Sequence, residues 1–289
     1  MKLKSLLLPL FLILSISVFA QKTFTCIDDF GKELFKIDAE FVYAFSNNRC
    51  AYKKQMGNEW KWGFIDEKGN TIIEPKYDKV LSFSDGVTWA TIENQEMLLD
   101  TFGERIQTNE YSKVGQFIEG MCAVYQDDKM GFINTSGIEV LPCEFIGSPA
   151  FSEGLVCLSL ANSTTENYGF YDKNGKLVIP HQFKQAGFSN FKNGECRVKL
   201  NGKICLIDTP GKPTFIPKLS TNMDNFENDL SRAYTKPNRI GFGYFNRENQ
   251  WVIKPIYTNA NSFLNGFSIA KMNDKYGVIN TIGKNNYSI

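Results

Sequence analysis

A short turn motif recurs along almost the whole chain and constrains the fold more than any other feature. It consists of a few apolar residues, an Asp or Asn, two variable residues and usually a Gly. Eight copies follow one another at intervals of 34–38 residues, starting at Asp28, Asp66, Asp100, Asn134, Asp172, Asp208, Asn246 and Asn280. An internal period of this length predicts a repeat architecture, in which each repeat buries its apolar surface against its neighbours.

A second landmark keeps the same phase. A Phe follows each of the first seven turns and in most copies has a Gly three residues later; these are Phe45, Phe83, Phe117, Phe151, Phe191, Phe226 and Phe263. The two landmarks together predict seven full repeats and half of another, with the half copy at the carboxyl end.

The turn residues have a structural interpretation. An Asp or Asn at the first position accepts hydrogen bonds from backbone N–H groups ahead of it, and the Gly adopts a conformation that other residues resist. The predicted turn residues are Asp66, Gly69, Asp100, Gly103, Asn134, Gly137, Asp172, Gly175, Asp208 and Gly211. Because Asp and Asn alternate at this position, turn formation explains it better than a catalytic acid or a calcium ligand.

The residues around each turn predict strands. Trp62 and Phe64 alternate with smaller or outward-facing positions before the turn, and Thr71 begins a return strand that Pro75 interrupts. A third strand is expected after each Phe-x-x-Gly turn. We therefore predict an all-β fold of tandem repeats, arranged either as an open array (a solenoid) or as a β-propeller. The repeats are shorter than the 40–45 residues of typical four-stranded blades, which favours the open array.

The amino terminus resembles an export signal. Lys2 and Lys4 precede an apolar run from Leu6 to Val18, and Ala20 ends a compact cleavage motif. We predict a cleaved signal peptide at residues 1–20 and one repeat domain at residues 21–289, located in the periplasm, on the outer surface or in the medium. No later stretch is apolar enough to predict a transmembrane segment.

Charge composition argues against nucleic-acid binding. The chain has 32 basic and 31 acidic residues, and they are mixed along its length. A nucleic-acid interface would need a basic stripe or block.

The seven cysteines are predicted to be free and structural. Cys50, Cys122 and Cys196 each lie five residues after the Phe of their repeat, where other repeats have Thr, Val or Ser. A position that accepts these residues requires a small side chain, and a free Cys packs as one.

The sequence contains few residues suited to catalysis. His181 is the only histidine, the cysteines lack zinc-type spacing, and we predict no catalytic residues, no metal site and no cofactor. Aromatic residues could instead bind a ligand. Trp60 and Trp89 are the predicted binding residues, since Trp60 lies outside the core pattern and Trp89 replaces the Ala123 of the next repeat.

Four segments carry a resemblance to a known family: Trp62–Asp66, Met130–Asn134, Tyr168–Asp172 and Tyr276–Asn280. With the Pro-x-Tyr and Phe-x-x-Gly elements, they resemble the WG-repeat (KWG-repeat) proteins of bacteria, over nearly the whole mature chain. The resemblance implies a β-repeat architecture and says little about activity. We expect an exported, non-enzymatic scaffold that binds another envelope or extracellular protein. The alternatives are a carbohydrate-binding module that uses exposed aromatic residues and, third, a hydrolase.

Overall fold

The computed structural model describes residues 22–28, 30–165, 167–184, 190–215, 221–224, 226–235 and 241–288. The predicted signal peptide lies outside these residues. Within them, the secondary structure consists of strands and turns, as the repeat pattern predicts. A search of this part of the chain finds no helix that could span a membrane.

Each repeat forms antiparallel strands that pair in chain order. A hairpin of β1 (Lys22–Ile27) and β2 (Glu33–Ala39) precedes the first repeat. Repeat 1 contains β3 (Phe41–Val42), β4 (Cys50–Met56), β5 (Glu59–Ile65) and β6 (Thr71–Tyr77). Repeat 2 contains β7 (Lys79–Val80), β8 (Val87–Ile92), β9 (Gln95–Asp100) and β10 (Arg105–Ile106). Repeat 3 contains β11 (Lys113–Ile118), β12 (Met121–Gln126), β13 (Lys129–Asn134) and β14 (Glu139–Gly147).

The remaining repeats follow the same order. Repeat 4 contains β15 (Leu155–Leu160), β16 (Asn167–Asp172) and β17 (Leu177–Lys184), and the end of β14 pairs with β15 as its first strand. Repeat 5 contains β18 (Glu195–Leu200), β19 (Lys203–Asp208) and β20 (Pro213–Phe215). Repeat 6 contains β21 (Thr221–Met223), β22 (Ser231–Thr235), β23 (Phe242–Phe245) and β24 (Trp251–Tyr257). Repeat 7 contains β25 (Asn259–Ala260), β26 (Phe267–Met272), β27 (Lys275–Asn280) and β28 (Asn285–Ser288).

The structure adds one strand to the three that the sequence predicts for a repeat, in every repeat except repeat 5, where three strands are described. The added strand comes first and is only two residues long in repeats 1, 2 and 7, which is too short to leave a pattern in the sequence.

The sheets also correct the position of the half repeat. The N-terminal hairpin matches the third and fourth strands of a repeat, whereas repeat 7 has all four, so the half copy lies at the amino end.

Two of the turns that connect the strands of a repeat have a distinct geometry. The Asx turn between the third and fourth strands has the expected hydrogen bonds: Asp66 Oδ1 accepts the N–H groups of Lys68 at 2.9 Å and Asn70 at 2.8 Å, and Gly69 has φ +84°. The corresponding side chains at all seven other turns also accept a backbone N–H four residues ahead. Two-residue turns such as Glu93–Asn94, with positive φ at both positions, join the second and third strands.

The Gly of the Trp-Gly pair is required by the proline in the neighbouring strand. The pairing between β5 and β6 shifts register on either side of Phe64. The shift between Trp62 and Phe64 falls at Pro75, which cannot donate a backbone hydrogen bond to the neighbouring strand. A Cβ on Gly63 would lie 2.4 Å from the Ile73 carbonyl oxygen and 2.7 Å from the Pro75 nitrogen. The same close approach occurs at Gly131, Gly169 and Gly243.

The core lies between consecutive sheets. In the cluster between repeats 4 and 5, Cys157, Phe170, Ile179 and Phe183 of repeat 4 pack against Phe191, Cys196, Val198 and Ile207 of repeat 5. We call the side of a sheet that covers the next repeat its forward face and the opposite side its rear face. Similar clusters join repeats 3 and 4, 5 and 6, and 6 and 7, and the N-terminal hairpin and repeat 1.

The described residues group into two compact bodies. The first contains the residues up to Ser82 together with Ala90–Gln95, and the second contains Phe83–Trp89 and the residues from Glu96 onward. The boundary therefore falls within β8, and the sequence offers no linker or change of composition there.

Candidate interaction surfaces

The two predicted binding tryptophans differ in exposure. Trp60 lies on β5 opposite Gln55 and is half-buried, so its binding role stays a prediction. Trp89 is 4% exposed, and its indole lies beside the Cys122 thiol. This burial corrects the prediction for Trp89, because a ring without a free face cannot stack on a ligand. Trp89 instead fills a core position that the smaller Ala123 occupies in repeat 3.

The first body has an aromatic surface that the sequence analysis missed. Tyr43 stacks on Trp62 with ring centroids 4.9 Å apart, and Phe41 meets both rings edge-on at 5.6 and 6.0 Å. Phe41 is 50% exposed and Tyr43 37% exposed, whereas Trp62 is buried beneath them. The Lys53 ammonium lies 5.7 Å from the Trp62 ring centroid. We call Phe41, Tyr43, Lys53 and Trp62 the aromatic surface.

Phe45 extends this exposed region for a reason visible in the repeat. It is 37% exposed, whereas its six counterparts in repeats 2–7 are at most 8% exposed. In repeat 4 the counterpart, Phe151, packs on Phe132 of the preceding repeat at 5.1 Å. The N-terminal hairpin has Cys26 at the position of Phe132, so the main aromatic contact of Phe45 is with Phe35 at 6.4 Å.

Exposed apolar side chains concentrate in two segments. Of the 21 large apolar residues that are exposed in the described parts of the chain, seven lie within residues 27–56 and seven within residues 256–282. The other seven are spread over the intervening residues, from Phe102 to Val252. Large exposed apolar surfaces usually mark interaction sites.

The acidic residues of the Phe-x-x-Gly turns bind the backbone of the following repeat. Glu119 accepts the N–H groups of Glu153 and Gly154 at 2.7 and 2.9 Å, and Glu153 accepts those of Asn193 and Gly194 at 2.5 and 2.8 Å. Burial raises the pKa of the Glu119 carboxyl, but the bonds from Gly154, Lys173 and Glu153 outweigh it and lower that pKa overall. Such carboxylates act as hydrogen-bond acceptors rather than as proton donors.

In four repeats the small-residue position also supplies a hydrogen-bond donor. Cys50 and Cys122 donate to carbonyl oxygens seven residues earlier, at 3.1 and 3.3 Å, and Ser231 and Ser268 do the same at 2.7 Å. The residues at this position are buried, as predicted from their size. The sequence alone revealed the size limit and not the donor, because the acceptor lies across the first turn of the repeat.

All seven cysteines are free. Burial raises the pKa of the Cys50 thiol to about 11 and that of Cys157 to about 12. At neutral pH these thiols are protonated, and therefore poor nucleophiles.

His181 is held by two neighbours. Its Nε2 lies 2.9 Å from the Tyr171 hydroxyl oxygen, and its Nδ1 lies 3.0 Å from the Asn167 carbonyl oxygen. The ring is half-buried, although its position in the repeat suggested an exposed residue. In the part of the chain that the structure describes, no three His, Cys, Asp or Glu side chains form a group that could hold a metal ion.

Comparison with known proteins adds a family match. A family model described as "WG containing repeat" matches residues 62–95, 168–203 and 242–276. These segments include the third strand, the Asx turn and the proline-containing strand. No curated protein sequence matches the chain significantly.

Among solved structures, apo AztD from Citrobacter koseri is 11% identical with a TM-score of 0.39, over 93% of this chain and 92% of that one. The dihydro-heme d1 dehydrogenase NirN is 10% identical with a TM-score of 0.41, over 93% and 71%. The Neurospora crassa Pan2 WD40 domain is 11% identical with a TM-score of 0.35, over 71% and 75%. At such low similarity these structures carry no argument about this chain.

Proposed function

The chain belongs to the WG-repeat family, and we propose that it is a non-enzymatic scaffold that binds another protein. The aromatic surface carries this proposal. It presents Phe41 on β3 and Tyr43 directly after that strand, where Lys53 on β4 and Trp62 on β5 support them. Aromatic residues in such positions supply much of the binding energy at protein interfaces.

The composition of the surrounding surface favours a protein partner over a small ligand. Phe41 exposes half of an apolar ring that has no hydrogen-bonding group. A partner with an apolar or aromatic segment would bury this area, and an acidic group at its edge would meet Lys53. Small polar ligands would gain little from these side chains.

A non-enzymatic role is supported by how the acidic side chains are used. Asp66, Asp172, Glu119 and Glu195 each have a lowered carboxyl pKa. Asn70 and Lys176 are the principal hydrogen-bond donors to Asp66 and Asp172, and Arg247 has this role for Glu195. A general acid at neutral pH needs a raised pKa.

We further propose export through the signal peptide of residues 1–20, which would place the scaffold in the periplasm, on the outer surface or in the medium. The four-stranded antiparallel sheets suit blades of a propeller as well as modules of an open array. The added first strand makes the propeller arrangement a stronger proposal than the sequence alone did.

Carbohydrate binding is the second candidate, favoured by the Tyr43–Trp62 stack. Tyr43 offers a hydroxyl and a partly exposed ring, as sugar-binding platforms do. Binding of cell-wall glycan with loss of affinity in a Tyr43→Ser variant would support it.

Site-specific photo-crosslinking in the native envelope tests the protein-binding proposal. A photoreactive residue replaces Tyr43, and the matched control replaces Phe102, which is exposed in repeat 2. We expect one protein to crosslink at position 43 and not at position 102. Purified partner should bind the wild-type chain and lose at least about tenfold in affinity with Phe41→Ser.

Equal crosslinking at both positions, or an adduct containing only glycan, would overturn the proposal. Circular dichroism of Phe41→Ser shows whether the sheet is intact, and Tyr43→Ser repeats the test at a second residue. A measured enzymatic turnover that survives both substitutions would contradict the non-enzymatic role.

A further inference from the structure

Two arginines interrupt the core pattern of repeats 5 and 6. Arg197 and Arg232 each come directly after the small-residue position, which Cys196 and Ser231 occupy in these repeats. The same position holds Ala51, Ala123 and Cys157 in repeats 1, 3 and 4, each at most 2% exposed, Trp89 in repeat 2 and Ile269 in repeat 7. Repeats therefore pack against one another without a charge at this position.

Both guanidinium groups are held in the same way. Nη1 of Arg197 donates to the Met223 carbonyl oxygen at 2.6 Å, and Nη1 of Arg232 donates to the Ala260 carbonyl oxygen at 2.5 Å. Each acceptor is the last residue of the first strand of the following repeat, β21 or β25. Arg232 also lies over the Phe242 ring, 5.5 Å from its centroid. The two side chains are therefore oriented before any ligand binds.

One carboxylate lies between the two arginines. Asp224 Oδ2 is 2.7 Å from Arg232 Nε and accepts the Ser262 hydroxyl at 2.8 Å. Its Oδ1 is 4.0 Å from Arg197 Nη1. We call Arg197, Asp224 and Arg232 the arginine cluster, and all three residues belong to the second body.

The arginine cluster has one positive charge more than it can balance. Its two guanidinium groups approach the two oxygens of one carboxylate, so they lie close together and repel each other. Among the described residues, Asp224 is the only acidic one that contacts either group. In the same part of the chain, Nη2 of Arg197 and Nη2 of Arg232 have no hydrogen-bond partner. The three side chains are 29–31% exposed, so an anion can reach these groups from solvent.

The geometry of the donors favours a carboxylate. A guanidinium group presents parallel N–H groups that match the two oxygens of a planar carboxylate. The Asp224 side chain already occupies the space between the two arginines with such a group. One further carboxylate would balance the remaining charge.

We propose that the arginine cluster binds a carboxylate group, supplied either by a small organic acid or by the carboxyl end of another protein chain. Arg197 and Arg232 donate to it from their Nη2 groups, and Asp224 fixes the spacing of the two arginines. The site is independent of the aromatic surface, which lies in the first body.

Isothermal titration calorimetry of the purified chain tests the proposal. The probes are benzoate, a small organic acid, and pentaalanine with either a free or an amidated carboxyl end. We expect binding of benzoate or of free pentaalanine, and none of the amidated peptide. Arg197→Gln and Arg232→Gln should each weaken this binding at least about tenfold, because each removes a charged donor. Arg105→Gln is the matched control, since Arg105 is exposed on β10, and it should bind like wild type.

Asp224→Asn distinguishes a binding site from an ion pair that only joins the repeats. The amide keeps an acceptor for Arg232 and removes the internal negative charge that competes with the ligand. Carboxylate binding should therefore tighten by at least about threefold. Unchanged or weaker binding by a folded Asp224→Asn chain would overturn the proposal.

The two kinds of probe identify the source of the carboxylate. Tighter binding of free pentaalanine than of benzoate would support a protein chain end, and the reverse order would support a small acid. Three results would overturn the proposal: no binding of either probe at millimolar concentrations, equally tight binding of free and amidated pentaalanine, or tighter binding of inorganic phosphate than of both carboxylates.

Folding of the variants is checked by circular dichroism and thermal unfolding. If Arg232→Gln fails to fold, Arg232→Lys tests the same residue, since it keeps the charge and loses the planar fork. It should bind the carboxylate at least about threefold more weakly than wild type. Wild-type affinity in both Arg197→Gln and folded Arg232→Lys would count against the site.

Discussion

The carboxylate of Glu119 reaches across to the next repeat, where its Oε2 accepts a hydrogen bond from the backbone N–H of Gly154 at 2.9 Å. The same residue binds the Glu153 N–H and the Lys173 ammonium. Glu153 repeats this arrangement one repeat further on. The turns are therefore linked in series by side chains that belong to the repeat motif itself.

Replacing Glu119 by Ala should destabilise the second body by about 1–3 kcal/mol, since two backbone N–H groups lose a charged acceptor. Glu119→Gln keeps an acceptor and should cost less. Urea unfolding at neutral pH measures both. The matched control is Glu144→Ala, at an exposed residue of β14. Equal stability of Glu119→Ala and the control would contradict a stabilising role.

The same contact predicts a dependence on pH. The pKa of Glu119 is lower in the folded chain than in the unfolded one. Its carboxylate therefore contributes fully to the free energy of unfolding above the unfolded pKa of about 4.3, and this contribution is lost as the pH falls through the folded pKa. The difference in unfolding free energy between wild type and Glu119→Gln should therefore shrink on acidification from neutral pH. A difference that stays constant down to the acid transition would argue against this linkage.

Gly63→Ala should destabilise repeat 1 by about 2–4 kcal/mol, because the added methyl would overlap the Ile73 carbonyl and force β5 and β6 apart. Thermal unfolding with a probe in the first body measures the effect. Gly57→Asn serves as the control, since Gly57 is in open space with φ +64° and Asn tolerates that conformation. The control should change stability by less than about 0.5 kcal/mol.

Ser268→Ala should cost about 1–2 kcal/mol, because the Asn261 carbonyl and the Tyr244 hydroxyl lose a buried partner. Ser268→Cys retains a donor, as Cys50 and Cys122 do at the same position, and should cost less than Ala. Denaturant unfolding of the three proteins gives the order. If Ala were as stable as Ser, size alone would govern this position, as the sequence suggested.

The thiols should be protected in the native protein. Cys26 and Cys143 are half-buried and the other five cysteines are buried, so at neutral pH a thiol reagent should modify at most two residues rapidly. Denaturant should release all seven. Rapid modification of a third thiol without denaturant would show that the buried positions open readily.

The local features of the fold were readable from the sequence. An Asx turn depends on one side chain and backbone groups two to four residues away, so Asp66 and Gly69 signal it directly. The period of 34–38 residues, the all-β class and the family followed from repetition of such signals. The first strand was missed because in repeats 1, 2 and 7 only two residues form it, and they do so by pairing with a later strand.

Exposure could not be read in this way. Trp89 and Tyr43 are both aromatic residues in strand regions, yet one is in the core and the other on the surface. Likewise, Phe45 and Phe151 occupy the same position of the repeat and differ in burial. Phe151 packs on Phe132 of the preceding repeat, whereas the N-terminal hairpin has the smaller Cys26 at the position of Phe132.

Sequence alone therefore determined the period, the turns and the strand-forming segments, since hydrogen bonds between near neighbours encode them. Tertiary structure decided which apolar faces are covered, because every core cluster takes its two halves from consecutive sheets. Ile269 and Cys157 show this difference most directly. They occupy the same position of the repeat, and Cys157 is a core residue because the rear face of repeat 5 covers it, whereas Ile269 is 43% exposed.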